Sequence, residues 1–456
     1  MSRSSCGGSM TASSDAVHAF YDNVENLWTA GDVPVYDTLP NPLDFYRQHV
    51  ARSRPCILRH HGKNGSDHWR LSWNELLTAW TTHCQQGKEE EEEEDEPCLW
   101  VDVTPDGHGD CLRRVKTTTT TLATTAQSEN DANDNAAASP QSFFVKPMEC
   151  RMTLAQFRKA IETNSKRKSL SLLDNDTTTD HAAMEYRIFE TMHADASSKD
   201  QQQPQQEKQR GATTNLLTNP PTPPPSQGVF YYSRQNDCLR TELQPLWNNV
   251  LASRFAALTA WANTVFGQDQ PQAVNLWMGP RAAVSALHKD PYENLFHVCH
   301  GTKLFTLIPP AYAPYLPERP MPSGSFVWDK STNHHRDDHD DDDDSSSCCD
   351  GTWKVQVDPA MPDGTPCTVP WITTSREILS TCPSRVPLRH VRVQAGETLY
   401  LPSLWFHQVS QQHDTDSCSY DDHVDVTIGV NFWYDMEFAS PLWAYFELLQ
   451  QMQVTD

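Results

Sequence analysis

Two histidines and one aspartate have the types and the spacing of metal ligands. His288 and Asp290 lie in an extended segment whose two-residue period would place them on one face together with Val284 and Ala286. The third candidate, His407, ends the segment GETLYLPSLWFH, whose pattern predicts a strand, a turn and a second strand. Two imidazoles and one carboxylate on one face of an octahedron leave three positions open. This ligand set suits Fe(II) that also binds a bidentate oxoacid and dioxygen.

The spacing His-x-Asp has little value by itself, because it begins at six histidines: His108, His193, His288, His335, His339 and His423. The occurrence at His288 is distinguished by its context. It stands in a β-rich block, a lysine follows it inside an apolar strand, and a distal histidine is available. The alternative interpretation is that His288 and His407 are hydrogen-bonded histidines of the core.

The lysine in question is Lys303. In the strand-like segment KLFTLI it shares a face with Phe305 and Leu307, and burying an ammonium is costly unless an anion meets it. The distal carboxylate of 2-oxoglutarate would be such an anion. The opposite register, with Leu304 and Ile308 buried and the lysine in solvent, is equally compatible with the strand period.

Short strands must position these residues. Nine β-like segments separated by turns follow residue 229, at 229–233, 273–278, 284–289, 294–298, 303–308, 391–393, 398–401, 408–409 and 426–434. Further elements are predicted as helices near 17–27, 43–49 and 153–161, strands at 56–59 and 98–104, and a helical stripe at 438–452. The pattern predicts a mainly β chain with flanking helices, built as a sandwich or barrel.

Five polar stretches with few aromatic residues are predicted to be disordered, low-complexity insertions, because they cannot bury enough apolar surface: 88–97, 117–142, 193–228, 331–350 and 411–423. The domain prediction is therefore as follows: a disordered N-terminus at 1–14, an N-terminal α/β lobe at 15–228 with the first three insertions, a barrel domain at 229–437 with the last two, and a C-terminal helix at 438–456.

The net charge of −24 says little about the active site, because fifteen of the acidic residues lie in the runs 89–96 and 337–344 of presumed loops. It argues against a broad basic face for direct nucleic-acid binding. Thirteen cysteines without a Cys-x-x-Cys pair favour a reducing compartment, and no apolar run is long enough to span a membrane. We expect a soluble protein of the cytoplasm or nucleus.

Four long blocks of the sequence resemble the jumonji-C (JmjC) oxygenases: AVNLWMG at 273–279, LHKDPYENL at 287–295, AGETLYLPSLWFHQV at 395–409 and VNFWYDME at 430–437. Weaker similarity occurs at 42–47, 54–59 and 103–107. The resemblance thus covers most of the chain outside the insertions. It implies a double-stranded β-helix (jelly-roll) core that holds Fe(II) through His288, Asp290 and His407, with 2-oxoglutarate and dioxygen as cosubstrates.

The resemblance also implies contacts to 2-oxoglutarate by Lys303 and by the hydroxyl of Ser285, a position where threonine is commoner in the family. Tyr231, Asn294 and Asn431 match further positions that line the cosubstrate. For the aromatic residues Tyr292, Trp405, Trp433 and Tyr434, core packing is favoured over substrate contact.

The implied reaction is hydroxylation of a lysine side chain in a partner protein, with a developmentally regulated GTP-binding protein as the family's substrate type. Tyr292, Glu293 and Asp106 are candidates to surround the lysine cation. A homodimer through the C-terminal helix is expected by analogy with relatives. Two other functions stay open: a JmjC lysine demethylase, and a cupin-like scaffold that binds partners without catalysis.

Overall fold

The computed structural model describes residues 14–25, 28, 31–59, 69–84, 98–116, 141–171, 185–188, 225, 227–330, 351–374, 386–412 and 426–452. The predicted insertions 88–97 and 331–350 lie outside these residues, as do the N-terminus before Ser14 and most of the other three insertions. Strands extend two residues into two of the predicted insertions, at Gln141 and at Gln412.

The first half of the chain alternates short helices and strands. Its elements are α1 (Ser14–Val24), β1 (Val35–Tyr36), α2 (Pro42–Phe45) with a following π-helical turn (Tyr46–Val50), β2 (Cys56–Arg59), α3 (Trp73–Cys84), β3 (Cys98–Thr104), β4 (His108–Gly109), β5 (Cys111–Lys116), β6 (Gln141–Lys146), β7 (Met148–Thr153), α4 (Leu154–Ser171) and β8 (Glu185–Ile188). The predicted cap of α4 is confirmed. The Gln156 amide donates to Thr153 Oγ1 at 3.1 Å, and the Thr153 amide donates to Gln156 Oε1 at 2.9 Å.

The second half is dominated by strands. Its elements are β9 (Val229–Tyr231), α5 (Gln244–Leu246), a π-helical turn (Trp247–Leu251), α6 (Ala252–Phe266), β10 (Ala273–Gly279), β11 (Val284–His288), β12 (Tyr292–His300), β13 (Thr302–Ile308), a 3-10 turn (Pro310–Tyr315), β14 (Glu318–Asp329), β15 (Thr352–Val357), β16 (Thr368–Ile372), β17 (Arg389–Gln394), β18 (Glu397–Leu401), β19 (Phe406–Gln412), β20 (Thr427–Asp435) and α7 (Pro441–Gln451). All nine strands predicted from residue 229 onward are present, and their ends differ from the predicted ones by at most three residues.

Eight of these strands form two facing antiparallel sheets. One sheet has the order β18-β12-β20-β10 and the other the order β17-β13-β19-β11. This alternation of strands between two sheets is the double-stranded β-helix, so the predicted mainly β fold with this core is confirmed. Side chains from both sheets, among them Trp277, Phe296 and Phe305, fill the space between them.

The N-terminal half completes the two sheets. Strands β2 and β1 extend the first sheet beyond β18, and β4 pairs in parallel with β11 at the edge of the second. Helix α6 covers the outer face of the first sheet, where Phe255 packs edge-on against Phe432 with ring centroids 5.3 Å apart. Because β20 is covered on both faces, its sequence TIGVNFWY is buried throughout, as expected for an interior strand.

Two further sheets were not predicted. One is three-stranded, with the order β7-β3-β9. In the other, β5, β6, β14, β15 and β8 pair in a closed ring, and β16 adds to β14. The interior of the ring is apolar and contains Val115, Phe143, Val145, Phe326 and Val355.

Helix α7 packs onto the 3-10 turn and onto α1, and buries Phe446 and Leu449. The apolar stripe predicted for this segment therefore covers part of the chain's own surface. Phe438 and Leu448, with 49% and 48% of their surface exposed, remain outside that contact. Within the described residues, no helix is both long enough and apolar enough to cross a membrane.

Candidate active site

The structure brings His288, Asp290 and His407 together. His288 ends β11, and it lies directly opposite His407 in the antiparallel pairing with β19. Asp290 follows just beyond the strand, where its carbonyl accepts a hydrogen bond from the Leu404 amide at 2.9 Å. The Asp290 Oδ2 atom lies 3.7 Å from His288 Nε2 and 3.6 Å from His407 Nε2. Pairing of two distant strands thus creates a group of three potential ligands.

Hydrogen bonds orient both imidazoles toward the aspartate. His288 Nδ1 donates to the Ala286 carbonyl at 2.7 Å, and His407 Nδ1 donates to the Trp405 carbonyl at 2.9 Å. In this tautomer each Nε2 atom keeps a free lone pair directed into the site, as metal-binding histidines require. Burial lowers the pKa of His407 to about 4, which keeps the ring neutral at physiological pH.

The donor atoms of His288, Asp290 and His407 are close enough together to hold one metal ion. The ligand atoms of the three residues all lie within 4.8 Å of one another, and among the described residues no other such group of histidine, cysteine and carboxylate side chains occurs. Two imidazoles and one carboxylate, with open space on the pocket side, are the ligands expected for a non-haem Fe(II) centre.

The local geometry of β11 differs from the predicted alternation. The strand ends at His288, so Asp290 is not part of it, and the register with β19 shifts between Ser285 and His288. The prediction that Val284, Ala286, His288 and Asp290 share one face of a regular strand was therefore wrong. The irregularity turns Ser285 and His288, three residues apart, toward the same pocket.

Lys303 is fully buried, at 0% exposure, and lies on the same face of β13 as Phe305. The predicted register is confirmed, since Leu304 is only partly buried and lies outside the pocket. Lys303 Nζ donates to Tyr231 Oη at 3.3 Å, and among the described residues no carboxylate is within ion-pairing distance. Burial lowers the lysine pKa to about 7. The pocket thus contains a desolvated ammonium without a counterion from the described chain.

All eight residues predicted for the site line one pocket: Tyr231, Ser285, His288, Asp290, Asn294, Lys303, His407 and Asn431. Asn431 Nδ2 donates to Asn294 Oδ1 at 3.5 Å, and the Asn431 Oδ1 atom accepts from Trp277 Nε1 at 2.9 Å. The tyrosine at the Lys303 end is Tyr231, as predicted, whereas its neighbour Tyr232 belongs to the core.

The sequence prediction missed other lining residues, among them Gln235, Trp277, Phe296 and Val409. Phe296 and Val409 lie on strands that carry predicted site residues, and strand periodicity would have identified both, two positions from Asn294 and His407 respectively, whereas Trp277 lies on β10, which carries no predicted site residue. Of the aromatic residues expected in the core, Trp405 donates to the Ser53 carbonyl at 3.0 Å and is buried there. Trp433 instead lines the pocket and stacks on Tyr292 with ring centroids 4.8 Å apart.

Two of the candidates for binding a substrate cation are already engaged. Glu293 is buried, where it accepts hydrogen bonds from Tyr400 Oη at 2.6 Å and Ser403 Oγ at 2.8 Å. Asp106 pairs with Arg113 at 2.7 Å. Neither lines the pocket, because Glu293 alternates with Asn294 on β12 and Asp106 belongs to the turn before β4.

A different carboxylate, that of Asp110, lies close to the ligand-bearing strand. Gly109 is paired with Ser285, and Asp110 follows it with a left-handed φ of 49°. Burial raises the pKa of the Asp110 carboxyl, whereas the nearby His288 opposes this shift. Like Glu293 and Asp106, Asp110 is not among the residues that line the pocket, but its carboxylate has no hydrogen-bond or ion-pair partner among the described residues, and the Lys146 charge, like His288, opposes the rise of its pKa. No pattern in the sequence singled it out as an acidic partner for a substrate.

A double-stranded β-helix with two histidines, one aspartate and a buried lysine in a single pocket defines a cupin-type protein with a candidate metal site. A family model described as a cupin-like domain matches residues 42–440. The chain belongs to the cupin-like JmjC family.

Three relatives illustrate the similarity. The bifunctional peptidase and (3S)-lysyl hydroxylase JMJD7 of Homo sapiens is 27% identical over 424 residues, which are 92% of this chain and 89% of that protein. JmjC domain-containing protein E of Dictyostelium discoideum is 34% identical over 233 residues, 49% of this chain and 58% of that protein. Lysine-specific demethylase JMJ32 of Arabidopsis thaliana is 34% identical over 235 residues, 49% of this chain and 57% of that protein. The chain thus spans less than two thirds of the last two relatives.

Proposed function

We propose that the protein is an Fe(II)- and 2-oxoglutarate-dependent dioxygenase that hydroxylates a lysine side chain of a partner protein. The observation that carries the proposal is the convergence of His288, Asp290 and His407 in one pocket with the buried Lys303, to which no described residue supplies a counterion. A scaffold without catalysis has no physical need for this combination.

In this proposal His288, Asp290 and His407 hold Fe(II), which supplies the activation of dioxygen coupled to decarboxylation of 2-oxoglutarate. The carbonyl acceptors of Ala286 and Trp405 fix both rings with Nε2 toward the metal. The Lys303 ammonium binds the distal carboxylate of 2-oxoglutarate, assisted by the hydroxyls of Tyr231 and Ser285. Asn294 and Asn431 line the opposite wall. Because the pocket is buried, it excludes water and strengthens these contacts.

The central test is the formation of succinate from 2-oxoglutarate with added Fe(II). His288→Ala is expected to lower the rate by at least about a hundredfold, since an open ligand position weakens both metal binding and positioning. His390→Ala, which removes an exposed histidine on β17 away from the pocket, is the matched control and is expected to retain the rate. Equal rates for wild type and His288→Ala would remove the assigned chemistry, and a wild type at background level would favour the cupin-like scaffold.

Two observations support lysine as the target. The human relative named as a (3S)-lysyl hydroxylase matches 92% of the chain. In addition, the Asp110 carboxylate next to the ligand-bearing strand has no ion-pair partner within the part of the chain that the structure describes, and a desolvated carboxylate favours a cationic side chain. In the proposal Asp110 replaces Glu293 and Asp106 as the acidic partner of the substrate lysine.

Asp110→Asn is expected to raise KM for a lysine-containing peptide about tenfold or more, because a charge-assisted contact is lost. Glu149→Gln removes the same charge nearby, where Arg234 already neutralises it at 2.5 Å, and is expected to leave KM unchanged. Mass spectrometry of the peptide product identifies the modified residue. Equal effects of the two substitutions would show only a general electrostatic influence.

The second candidate reaction is lysine demethylation, which the similarity to Arabidopsis JMJ32 favours. Both reactions use the same site, and the product distinguishes them. Hydroxylation adds one oxygen atom to the peptide, whereas demethylation removes methyl groups and releases formaldehyde. A product without added oxygen but with fewer methyl groups would replace the hydroxylase proposal.

We further propose a developmentally regulated GTP-binding protein as the substrate type and the cytoplasm or nucleus as the location. The seven cysteines whose side chains the structure describes form no disulfide bonds, which fits a reducing compartment. A homodimer through α7 and the residues just before it would use Phe438 and Leu448, since Phe446 and Leu449 are already buried within the chain. Sedimentation of a variant with Glu at both exposed positions tests the dimer, and an unchanged mass would argue against it.

A further inference from the structure

Lys289 stands between two candidate metal ligands in the sequence but does not line their pocket. Its side chain extends behind the site, where Nζ forms an ion pair with Glu318 at the start of β14. The same ammonium lies over two aromatic rings, 5.9 Å from the centroid of Phe406 and 5.5 Å from that of Phe446. With 17% of its side chain exposed, Lys289 is held by three contacts, one from each of three different elements.

Helix α7 contributes to this arrangement in two ways. Phe446 lies on its buried face, and its ring is 6.1 Å from that of Phe406, the residue before His407. Gln450, one turn further along α7, donates from Nε2 to Glu318 Oε2 at 3.3 Å. The helix therefore touches the immediate neighbours of all three candidate ligands and also the counterion of Lys289.

Asp290 needs such support more than the two histidines do. His288 and His407 are fixed by the β11–β19 pairing, but Asp290 lies past the end of β11. Its backbone is held by one hydrogen bond from Leu404, itself in a turn with a left-handed φ of 66°. The preceding side chain, Lys289, is the nearest anchor on the outer side. Metal affinity depends on how well such outer contacts orient the ligands.

We propose that α7 acts as a brace for the metal site, which means that it holds the candidate ligands in position. Lys289 is the positioning residue through which the helix acts. Clamped by Glu318, Phe406 and Phe446, Lys289 holds the short connection to Asp290, so that the carboxylate stays within reach of the two imidazoles. The inference rests on the proposed metal-binding role of the three ligands. It adds a specific element, outside the pocket, on which metal affinity depends.

The test is titration of the metal-free, full-length protein with Mn(II) alone, followed by calorimetry, without 2-oxoglutarate or turnover. Lys289→Met keeps the length and most of the packing but removes the charge, and Phe446→Ala removes the ring. Each is expected to weaken Mn(II) binding about tenfold, the effect typical of lost outer-shell contacts. Lys289→Arg, which preserves the ion pair and the ring contacts, is expected to bind Mn(II) like the wild type.

Leu448→Ala is the matched control. This exposed residue lies on the same helix but is not one of the residues that contact Lys289. It is expected to leave the Mn(II) affinity unchanged. Wild-type affinity in Lys289→Met, with an unchanged melting temperature, would overturn the brace, whatever the folding of Phe446→Ala. His407→Ala distinguishes a failure of the metal site from a failure of its support by α7. If the wild type binds no more Mn(II) than His407→Ala, the metal site itself is refuted. The proposed role of α7 is then refuted as well.

Discussion

At the scale of single residues, burial of the Lys303 ammonium is the feature of the pocket that most reduces the stability of the fold. Its ammonium is buried beside Tyr231 and Phe296, with the rings of both within 6 Å, but without a carboxylate among the described residues. A desolvated cation of this kind is destabilising unless an anion arrives. In the proposed function, the distal carboxylate of 2-oxoglutarate would supply the missing charge and offset this cost.

The lowered pKa of Lys303 gives a prediction for cosubstrate binding. With a pKa of about 7 in the empty pocket, the amine is mostly neutral at pH 8. A carboxylate next to it favours the charged form, so binding of 2-oxoglutarate is expected to take up about one proton at pH 8 and almost none at pH 6. Calorimetry in buffers of different ionisation enthalpy measures this number.

Lys303→Arg is the control for this prediction, because a guanidinium stays charged at both pH values and takes up no proton. Identical binding enthalpies in all buffers at pH 8 for the wild type would show that Lys303 is already charged in the empty pocket. Burial would then not lower the Lys303 pKa enough to neutralise the amine at pH 8.

At the scale of elements, a buried histidine joins β12 and β18 to the segment before α3. His297 Nε2 donates to the Trp69 carbonyl at 2.9 Å, and Nδ1 accepts from Thr398 Oγ1 at 2.9 Å. Burial lowers the pKa of His297 from 6.5 to about 4. The ring is therefore neutral in the folded protein over the whole range in which it titrates in the unfolded chain.

This histidine makes stability depend on pH with a definite sign. Below pH 6.5 the unfolded chain binds a proton that the folded protein refuses, so stability falls as the pH decreases from about 6.5 to about 4. Between pH 6.5 and 5 the loss from this residue is about 2 kcal/mol. Urea unfolding of the metal-free protein at both pH values measures the loss. His297→Gln is expected to reduce it by about the same amount, and an unchanged pH dependence would assign the effect to other groups.

The residues of the candidate site were predicted from the sequence more completely than the local geometry of β11 and the existence of β14. His407, Lys303 and the strand β19 stand in contiguous segments whose own pattern is informative. The irregularity in β11 was not predictable, because it depends on pairing between Ser285 and Val409, far apart in the chain. Likewise β14 contains Pro320, Pro322 and Gly324, which predict a loop, and it becomes a strand through its pairing with β6, β15 and β16.

At the scale of the whole molecule, the predicted N-terminal lobe and barrel share their sheets. Strand β2 pairs with β18, β4 with β11, and β6 with β14. Each pair joins a strand of the first half to one of the second. The first half therefore supports the pocket directly, and Asp110 reaches the ligand-bearing strand by this route.

One insertion connects strands that are already adjacent. Asp329 at the end of β14 is paired with Thr352 at the start of β15, so the chain between them closes a hairpin. Replacing residues 331–350 with a two-residue Asn-Gly turn is expected to change the melting temperature by only a few degrees and to leave succinate formation intact, because the flanking pairing is unaffected. Differential scanning calorimetry and the turnover assay provide the measurements. A large loss of activity with retained stability would give this acidic segment a role in the reaction.

The pairing of β11 with β19 also determines when the metal site forms. His288 and His407 become neighbours only when segments more than a hundred residues apart have docked, and the flanking β4 comes from still further away. Closure of such long loops is a late event in folding, because its entropic cost is recovered only when the sheets are nearly complete. A metal ion at the candidate site should therefore bind after the rate-limiting step of folding. Its binding should decrease the rate of unfolding and leave the rate of folding unchanged.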